Sequence, residues 1–405
     1  MTRFQGYTVT GFRPCFCLLV LATSWLAQPG LAADKHNRIR IRDPKSGKVY
    51  TVKCERIPLG KNDDYKASIV VLPNQRLLLS MFMGKRVGGG KILEQTVLYG
   101  SADGGKTWSK RRVLSTLGRE PYLSVSKSGT VFITAHLLKQ DKRNRDGYTH
   151  SYLHRSDDGG KNWTSLKVQP KLFRPKTTAL ISRNVLQLAD GSLVFGISEH
   201  APNSRSVVYR STNEGKSWQT YPSHFEGVPK KYPYTLFGEA HLWQARSGKV
   251  ITILRVGAAN SWPIRGTSDP GNNDQSERMI VYSTTNLGKS WQKGPDLGTY
   301  GQMYMALLPV GRDRILLTFT QRAIAKQLGI RAVLGRQLDD GFHFDMKQKN
   351  HIMIETRTPP GTASGGGFGP TVRLADGTLV TSYTYRLADG SKHAEVVRWR
   401  LPKLD

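Results

Sequence analysis

The sequence predicts an all-β chain folded as a six-bladed β-propeller. Three features predict it: a recurrent turn ending in an aromatic, a recurrent strand–glycine turn–strand unit, and no competing stretch of helical period. The turn reads S/T-x-D/N-x-G-x-x-W/F. It occurs at Ser101–Trp108, Ser156–Trp163, Ser211–Trp218 and Thr284–Trp291, and in degenerate form at Gln337–Phe344. Asp103, Asp158, Asn213, Asn286 and Asp339 hold its third position, where a short polar side chain can accept from nearby backbone N–H groups. The glycine takes a backbone shape that other residues resist, and the aromatic fills space between strands. These aromatics recur at steps of 53 to 73 residues.

The second unit interleaves with the first. Glu120–Thr134 turns at Gly129, and Glu239–Leu254 turns at Gly248; other copies begin near Arg183, Gln302, Phe368 and Tyr65, six in all. Spread over residues 34–405, six copies take roughly 62 residues each, which suits four short strands and their loops. A single propeller domain is expected over 34–405.

Residues 1–33 have the layout of a secretory signal: Arg3 and Arg13, an apolar run from Cys15 to Ala27, and small residues ending at Ala33. The expected address is secreted or periplasmic. Cleavage would remove two arginines and no acid, lowering the net charge from +30 to +28. It would also remove Cys15 and Cys17, leaving Cys54 without an internal disulfide partner. No apolar run reaches the roughly 18 residues of a membrane-spanning helix. With 60 Lys and Arg against 30 Asp and Glu, the expected partner is an acidic glycan or polysaccharide. No nucleic-acid motif is present, and a monomer is expected.

The repeat supplies a ruler for the axis. The residue nine before each first-turn glycine starts the inner strand: Glu120, Ser182 (then Arg183), Glu239, Gln302 and Phe368, with Lys66 beside Tyr65 in the first copy. Seven after that glycine come His136, Ser198 (then Glu199 and His200), Arg255, and Thr384 (then Tyr385 and Arg386). A longer turn in the fifth copy puts Gln321 and Arg322 there. Glu120, His136, Arg183, Glu199, Glu239, Arg255, Arg322 and Arg386 are therefore expected to converge on one face, where ionisable groups are costly unless paired or used. The long segments fall on that face, and 257–278, with Trp262, Arg265, Asp269 and Asp274, is the expected rim.

The aromatic-ended turns are Asp-boxes. With the six-fold strand pattern, the chain resembles the sialidase (neuraminidase) superfamily over residues 50–405, and more narrowly the secreted bacterial sialidase-like proteins with BNR repeats. The resemblance implies a glycoside hydrolase of exo-α-sialidase type that acts on a terminal acidic sugar and needs no cofactor. Such chemistry uses arginines on the carboxylate, a proton donor for the leaving oxygen, and a tyrosine nucleophile activated by a glutamate. Glu239 and Arg255, sixteen apart, resemble the family's tyrosine-activating glutamate and one carboxylate-binding arginine. Elsewhere the chain departs. It reads Tyr65-Lys66-Ala67-Ser68 where the family has Arg-Ile-Pro, and Arg56-Ile57-Pro58 lies too far upstream. Gly88-Gly89-Gly90 stands where the family has its acid/base Asp, with Glu94 the nearest acid, and Phe368 stands at the family's tyrosine.

The expected catalytic set is Glu239, Tyr385 as the phenol (Tyr304 and Tyr65 are the other choices) and Glu120 as the acid (Glu199 and Asp146 are the others). Arg255, Arg322, Arg183, Arg386, His136 and His200 are expected to bind substrate. No metal-ligand spacing is present, so no metal is expected. Two alternatives stand: a non-catalytic propeller that binds acidic glycans, and a polysaccharide lyase that uses a Tyr/His pair with an arginine on a uronate.

Overall fold

Short alternating runs bounded by glycine turns become strands along the whole chain. The computed structural model describes residues 36–199, 205–228, 236–257, 277–323, 325–359 and 367–404. The expected leader, His200 and the rim residues Trp262, Arg265, Asp269 and Asp274 lie outside the described residues. The described part of 37–405 is all β and propeller-like, built from antiparallel sheets that meander in chain order.

β1 (Arg38–Arg42) and β2 (Val49–Lys53) form a ribbon. β4 (Asp64–Val71), β5 (Leu77–Gly88), β6 (Lys91–Ser101) and β7 (Arg112–Val113) make one four-stranded sheet. β8 (Arg119–Val125), β9 (Val131–Leu137), β10 (His150–Ser156) and β11 (Thr164–Val168) make the next. β12 (Ala179–Ile181), β13 (Leu186–Gln187), β14 (Leu193–Glu199), β15 (Ser206–Ser211) and β16 (Gln219–Phe225) share a nine-stranded sheet with four further strands. Those are β17 (Leu236–Gln244), β18 (Val250–Gly257), β19 (Glu277–Thr284) and β20 (Ser290–Leu297). The third and fourth copies are thus one sheet rather than two. A short parallel contact between β16 and β20 joins them, where Phe225 stacks on Trp291 with ring centroids 5.5 Å apart.

β21 (Gln302–Pro309), β22 (Arg314–Gln321), β23 (Gly329–Leu338), β24 (Gly341–His343) and β25 (Ile352–Glu355) form a five-stranded sheet. The last sheet contains β26 (Thr371–Arg373), β27 (Leu379–Arg386) and β28 (Lys392–Trp399), and its fourth strand is β3 (Glu55–Leu59) from the other end of the chain. That pairing ties the start of the domain to its finish through backbone hydrogen bonds, from Glu55 opposite Arg398 to Leu59 opposite Ala394. Arg56 lies on this outer strand, where its guanidinium donates to the Tyr383 hydroxyl (2.6 Å) and the Ile354 carbonyl (2.7 Å). The Arg56-Ile57-Pro58 string therefore fastens the closure and takes no part in the axial cluster. Apolar residues of neighbouring sheets pack face to face, as Leu77, Leu79 and Val97 do against Val380 and Val396.

The four full Asp-boxes form as their residues dictate. The Asp103 carboxylate accepts from Lys106 N (3.1 Å), Thr107 N (2.9 Å) and Ser101 Oγ (2.8 Å), and Trp108 Nε1 donates to the Gly105 carbonyl (3.1 Å). Its pKa falls well below the ordinary carboxylate range, chiefly through the Thr107 hydroxyl and backbone N–H. Asp158, Asn213 and Asn286 repeat the pattern. Asp339 departs from it: with Asp340 it forms a two-residue hairpin turn between β23 and β24, and its side chain faces Arg246 at 3.4 Å. The degenerate sequence lacks the leading Ser/Thr hydroxyl that holds the box glycine's N–H elsewhere, as Ser101 Oγ holds Gly105 N at 2.9 Å.

The box glycines are demanded by geometry. Gly215 has φ +74°, and a Cβ there would lie 2.7 Å from the Phe132 ring. Gly191 has φ +85° but open space around it. Gly215→Ala should therefore cost about 1–3 kcal/mol more than Gly191→Ala, since both bear the backbone strain and only the first also meets a clash. Urea unfolding of the two variants measures the difference.

Candidate functional site

Four inner strands carry the same local device. Their register slips at Tyr65/Ser68, Arg119/Tyr122, Gly238/His241 and Met303/Ala306. At each slip the first bulged residue adopts a left-handed backbone: Lys66 (φ 55°), Glu120 (54°), Glu239 (47°) and Tyr304 (58°). None is glycine, so each carries strain that the surrounding structure must hold. A bulge re-aims a side chain, and these four side chains meet.

Tyr304 Oη is the focus. Arg322 Nη1 donates to it at 2.7 Å, Arg255 Nη1 at 2.8 Å, and Lys66 Nζ lies 3.0 Å away. Arg255 Nη1 also donates to Glu239 (2.5 Å), and its Nε donates to Glu277 (2.7 Å). Arg183 bonds both Glu239 and Glu120, the latter at 3.1 Å, and Lys66 pairs with Glu120. Each of these residues is at most 9% exposed. Beneath the charges lies an apolar floor. Phe368 meets the Tyr304 ring edge-on at 5.0 Å and Tyr122 at 5.7 Å, and the Arg183 guanidinium lies 4.3 Å from the Phe368 centroid.

The electrostatics follow from burial set against pairing. Burial raises the Glu120 pKa, but Lys66, Arg119 and Arg183 outweigh it and hold the carboxyl well below the usual range. Glu239 behaves alike under Arg183 and Arg255. Both are fixed anions, so Glu120 is unsuited to the proton-donor role the sequence suggests. Glu94, on β6, is the contrasting carboxyl. Burial raises its pKa, Glu120 and Asp141 add to the rise, and Arg119, 3.4 Å away, opposes it. His136 lies 3.7 Å from Glu239, and burial lowers its pKa, so the ring is neutral. Glu120, His136 and Glu239 bring donor atoms within 4.8 Å of one another, a spacing that would suit a cation. Arg183 already bridges the two carboxylates and Lys66 caps one of them, so side chains supply the positive charge there.

The axis thus gathers Glu120, His136, Arg183, Glu239, Arg255 and Arg322, as the ruler foresees. The other expected residues lie elsewhere. Tyr385 places its hydroxyl 3.4 Å from Glu395, its ring stacks on His393, and the Arg357 guanidinium lies 3.7 Å from its centroid. That group belongs to the chain closure, because strand alternation turns Tyr385 into the last sheet. Glu199 is fully buried between Arg174 (2.7 Å) and Arg205 (2.9 Å). Asp146 pairs with His150 (3.0 Å) and Lys167 on the surface. The Arg386 backbone N–H donates to the Thr358 hydroxyl, and its charge acts on Tyr65 at the margin of the cluster. Gln302 is bonded to Gln321 and Thr299 N, two residues short of the axis. The fifth turn spans as many residues as the others, Val310 N bonding the Arg314 carbonyl as Ser126 N bonds that of Thr130, but Asp313 stands where they have glycine; counting from Gly311 therefore falls two residues short, and Tyr304 takes the bulge position. Glu277, which opens β19, carried no repeat signal and was missed.

Glu239→Ala should leave Arg183 and Arg255 buried without their shared carboxylate. A loss of roughly 3–5 kcal/mol is expected, as for a broken buried pair. Asp146→Ala, at the exposed pair, should leave stability nearly unchanged. Chemical denaturation of both variants provides the comparison.

A BNR repeat-like domain family matches residues 61–233. A protein of unknown function from Dyadobacter fermentans superposes with TM-score 0.63 at 19% identity, covering 86% of this chain and 98% of that one. The intramolecular trans-sialidase of Ruminococcus gnavus superposes with TM-score 0.57 at 13% identity, covering 86% and 97%. A Streptococcus pneumoniae sialidase does so with TM-score 0.57 at 13% identity, covering 86% and 70%. Comparison with curated proteins gives no match. Residues 61–233 match a BNR repeat-like family, and the fold is similar to that of sialidases, the resemblance that the Asp-boxes announce.

Proposed function

We propose that the chain is a glycoside hydrolase that removes a terminal carboxylate-bearing sugar from an acidic glycan, with Tyr304 as nucleophile. The observation that carries this reading is the convergence of Lys66, Arg255 and Arg322 on one oxygen. Two guanidinium groups and an amine aimed at one point suit a substrate carboxylate beside a reacting oxygen. Tyr304 supplies the phenol that Phe368 lacks, from the neighbouring sheet. Glu239 orients Arg255 and Arg183. Glu94, whose carboxyl is raised by burial, is the proton donor for the leaving oxygen.

The sialidases among the structural neighbours support the fold half of this reading. Six blades remain the proposed architecture, supported by four identical bulges with Arg183 and Phe368 in the two other copies. Residues 1–33 are proposed to direct export, so that the enzyme meets extracellular or periplasmic glycans. A second reading, an acidic-glycan binder without turnover, is favoured by one feature: Tyr304 Oη already fills the point where the three basic side chains meet.

Purified chain should release the fluorophore from a fluorogenic sialoside or glucuronide. Tyr304→Phe should lower kcat/KM by roughly 10²–10⁴-fold while keeping the melting temperature. Tight glycan binding with no turnover by the unaltered chain would leave the binder as the function. An unsaturated, ultraviolet-absorbing product would replace hydrolysis with elimination.

A further inference from the structure

We propose that Lys66, which its surroundings bring close to giving up its proton, is in its neutral form the base that takes the Tyr304 proton. The inference rests on the hydrolase reading for its catalytic consequence, but not for its geometry.

The argument begins with hydrogen-bond valence. A neutral phenol has two lone pairs and one proton. Arg255 and Arg322 donate to Tyr304 Oη and fill both lone pairs. The phenol proton then needs an acceptor, and among the described residues Lys66 Nζ, 3.0 Å away, is the remaining polar atom bonded to Tyr304 Oη. An ammonium cannot accept; an amine can. With Lys66 neutral, the O–H points at its nitrogen, its own N–H groups remain for Glu120, and every bond is satisfied.

Charge agrees with valence. Among the described residues, Arg183 and Arg255 pair with Glu120, Glu239 and Glu277, and Arg322 donates to Tyr304, three guanidinium groups against three carboxylates. Arg119, beside Glu120 and the protonated Glu94, already adds a positive charge in excess. A protonated Lys66 would add another to a buried cluster, which is costly. The groups around the Lys66–Tyr304 pair act accordingly. Burial pulls the Lys66 pKa down to about 8; Glu120 opposes, while Arg119, Arg322 and Arg183 assist. Tyr65 and Arg386, on β4 and β27, complete the surroundings.

Glu239 is not available for this task. It is a fixed anion engaged by Arg183 and Arg255, and Arg255 separates it from Tyr304 Oη. The departure of Lys66 from the family's arginine thus acquires a purpose, because an arginine at that position could not give up its proton.

The step balances as follows. Tyr304 Oη forms a bond to the anomeric carbon as its proton passes to Lys66 Nζ, which becomes an ammonium. The bond from the anomeric carbon to the glycosidic oxygen breaks, and the oxygen keeps the electron pair and takes the Glu94 proton. Water then attacks the anomeric carbon and gives one proton to Glu94. The Tyr304–carbon bond breaks, and Tyr304 Oη recovers its proton from Lys66.

Two measurements test this on the full chain. In the first, lysines carrying ¹³C at Cε are titrated by NMR, with the Lys66 signal assigned by its loss in Lys66→Arg. A midpoint near 8 is expected; a midpoint in the ordinary lysine range of about 10.4 overturns the proposal, whether or not any glycoside is turned over. In the second, Lys66→Arg keeps a cation but removes the base. Its kcat should fall by roughly 10²–10⁴-fold with little change in KM, and the rise of rate with pH through about 8 should vanish. Thermal melting of the variant confirms its fold. An unchanged kcat and an unchanged pH limb overturn the proposal. Failure of every acidic glycoside with the unaltered chain, alongside a Lys66 midpoint near 8, would remove the hydrolase reading and leave Lys66 as an amine available above about pH 8.

Discussion

The structure depends on mutual neutralisation of charge at the axis. Arginines, a lysine and glutamates from seven strands or their ends meet in a space that water barely reaches. Each charge would carry a heavy desolvation cost alone. Together they form a closed set, with Arg183 tying Glu120 to Glu239 and Arg255 tying Glu239 to Glu277. The network links sheets that otherwise touch mainly through apolar faces. It therefore specifies how the sheets face one another as well as what the axis can bind.

Strain and charge are coupled there. Each of the four bulges puts a non-glycine residue in a left-handed backbone, an arrangement that neighbouring contacts must maintain. The contacts that maintain it are the ion pairs themselves: Lys66 with Glu120, and Glu239 with Arg183 and Arg255. The Asp-boxes at the opposite ends of the sheets work differently, through local hydrogen bonds within eight residues. One end of the fold is thus made of autonomous turns and the other of long-range partnerships.

Much of the site was legible because the repeat acts as a ruler. Counting from turn glycines identified Lys66, Glu120, Arg183, Glu239, Arg255 and Arg322 as axial, and the Glu239–Arg255 pair meets as its spacing implies. The same ruler misjudged Tyr304 by two residues, because Gly311 stands two residues before the place that glycine takes in the other turns. The ruler put Tyr385 directly after Thr384 at the end of its strand, but alternation in β27 turns it toward Glu395 and Arg357. Glu277 lies in no repeat position, so only its contact with Arg255 reveals it.

By itself the sequence determined the all-β class, the turn chemistry and the set of inner-strand positions, because all three depend on short-range periodicity and on residues that favour particular backbone shapes. Only the tertiary structure decided which phenol stands among the cations, that two copies share one sheet, that β3 closes the last sheet, and that Glu120 and Glu239 stay ionised while Glu94 and Lys66 are pushed toward neutrality. Those outcomes arise from burial and from partners far apart in the chain, and neither quantity is written in local residue order.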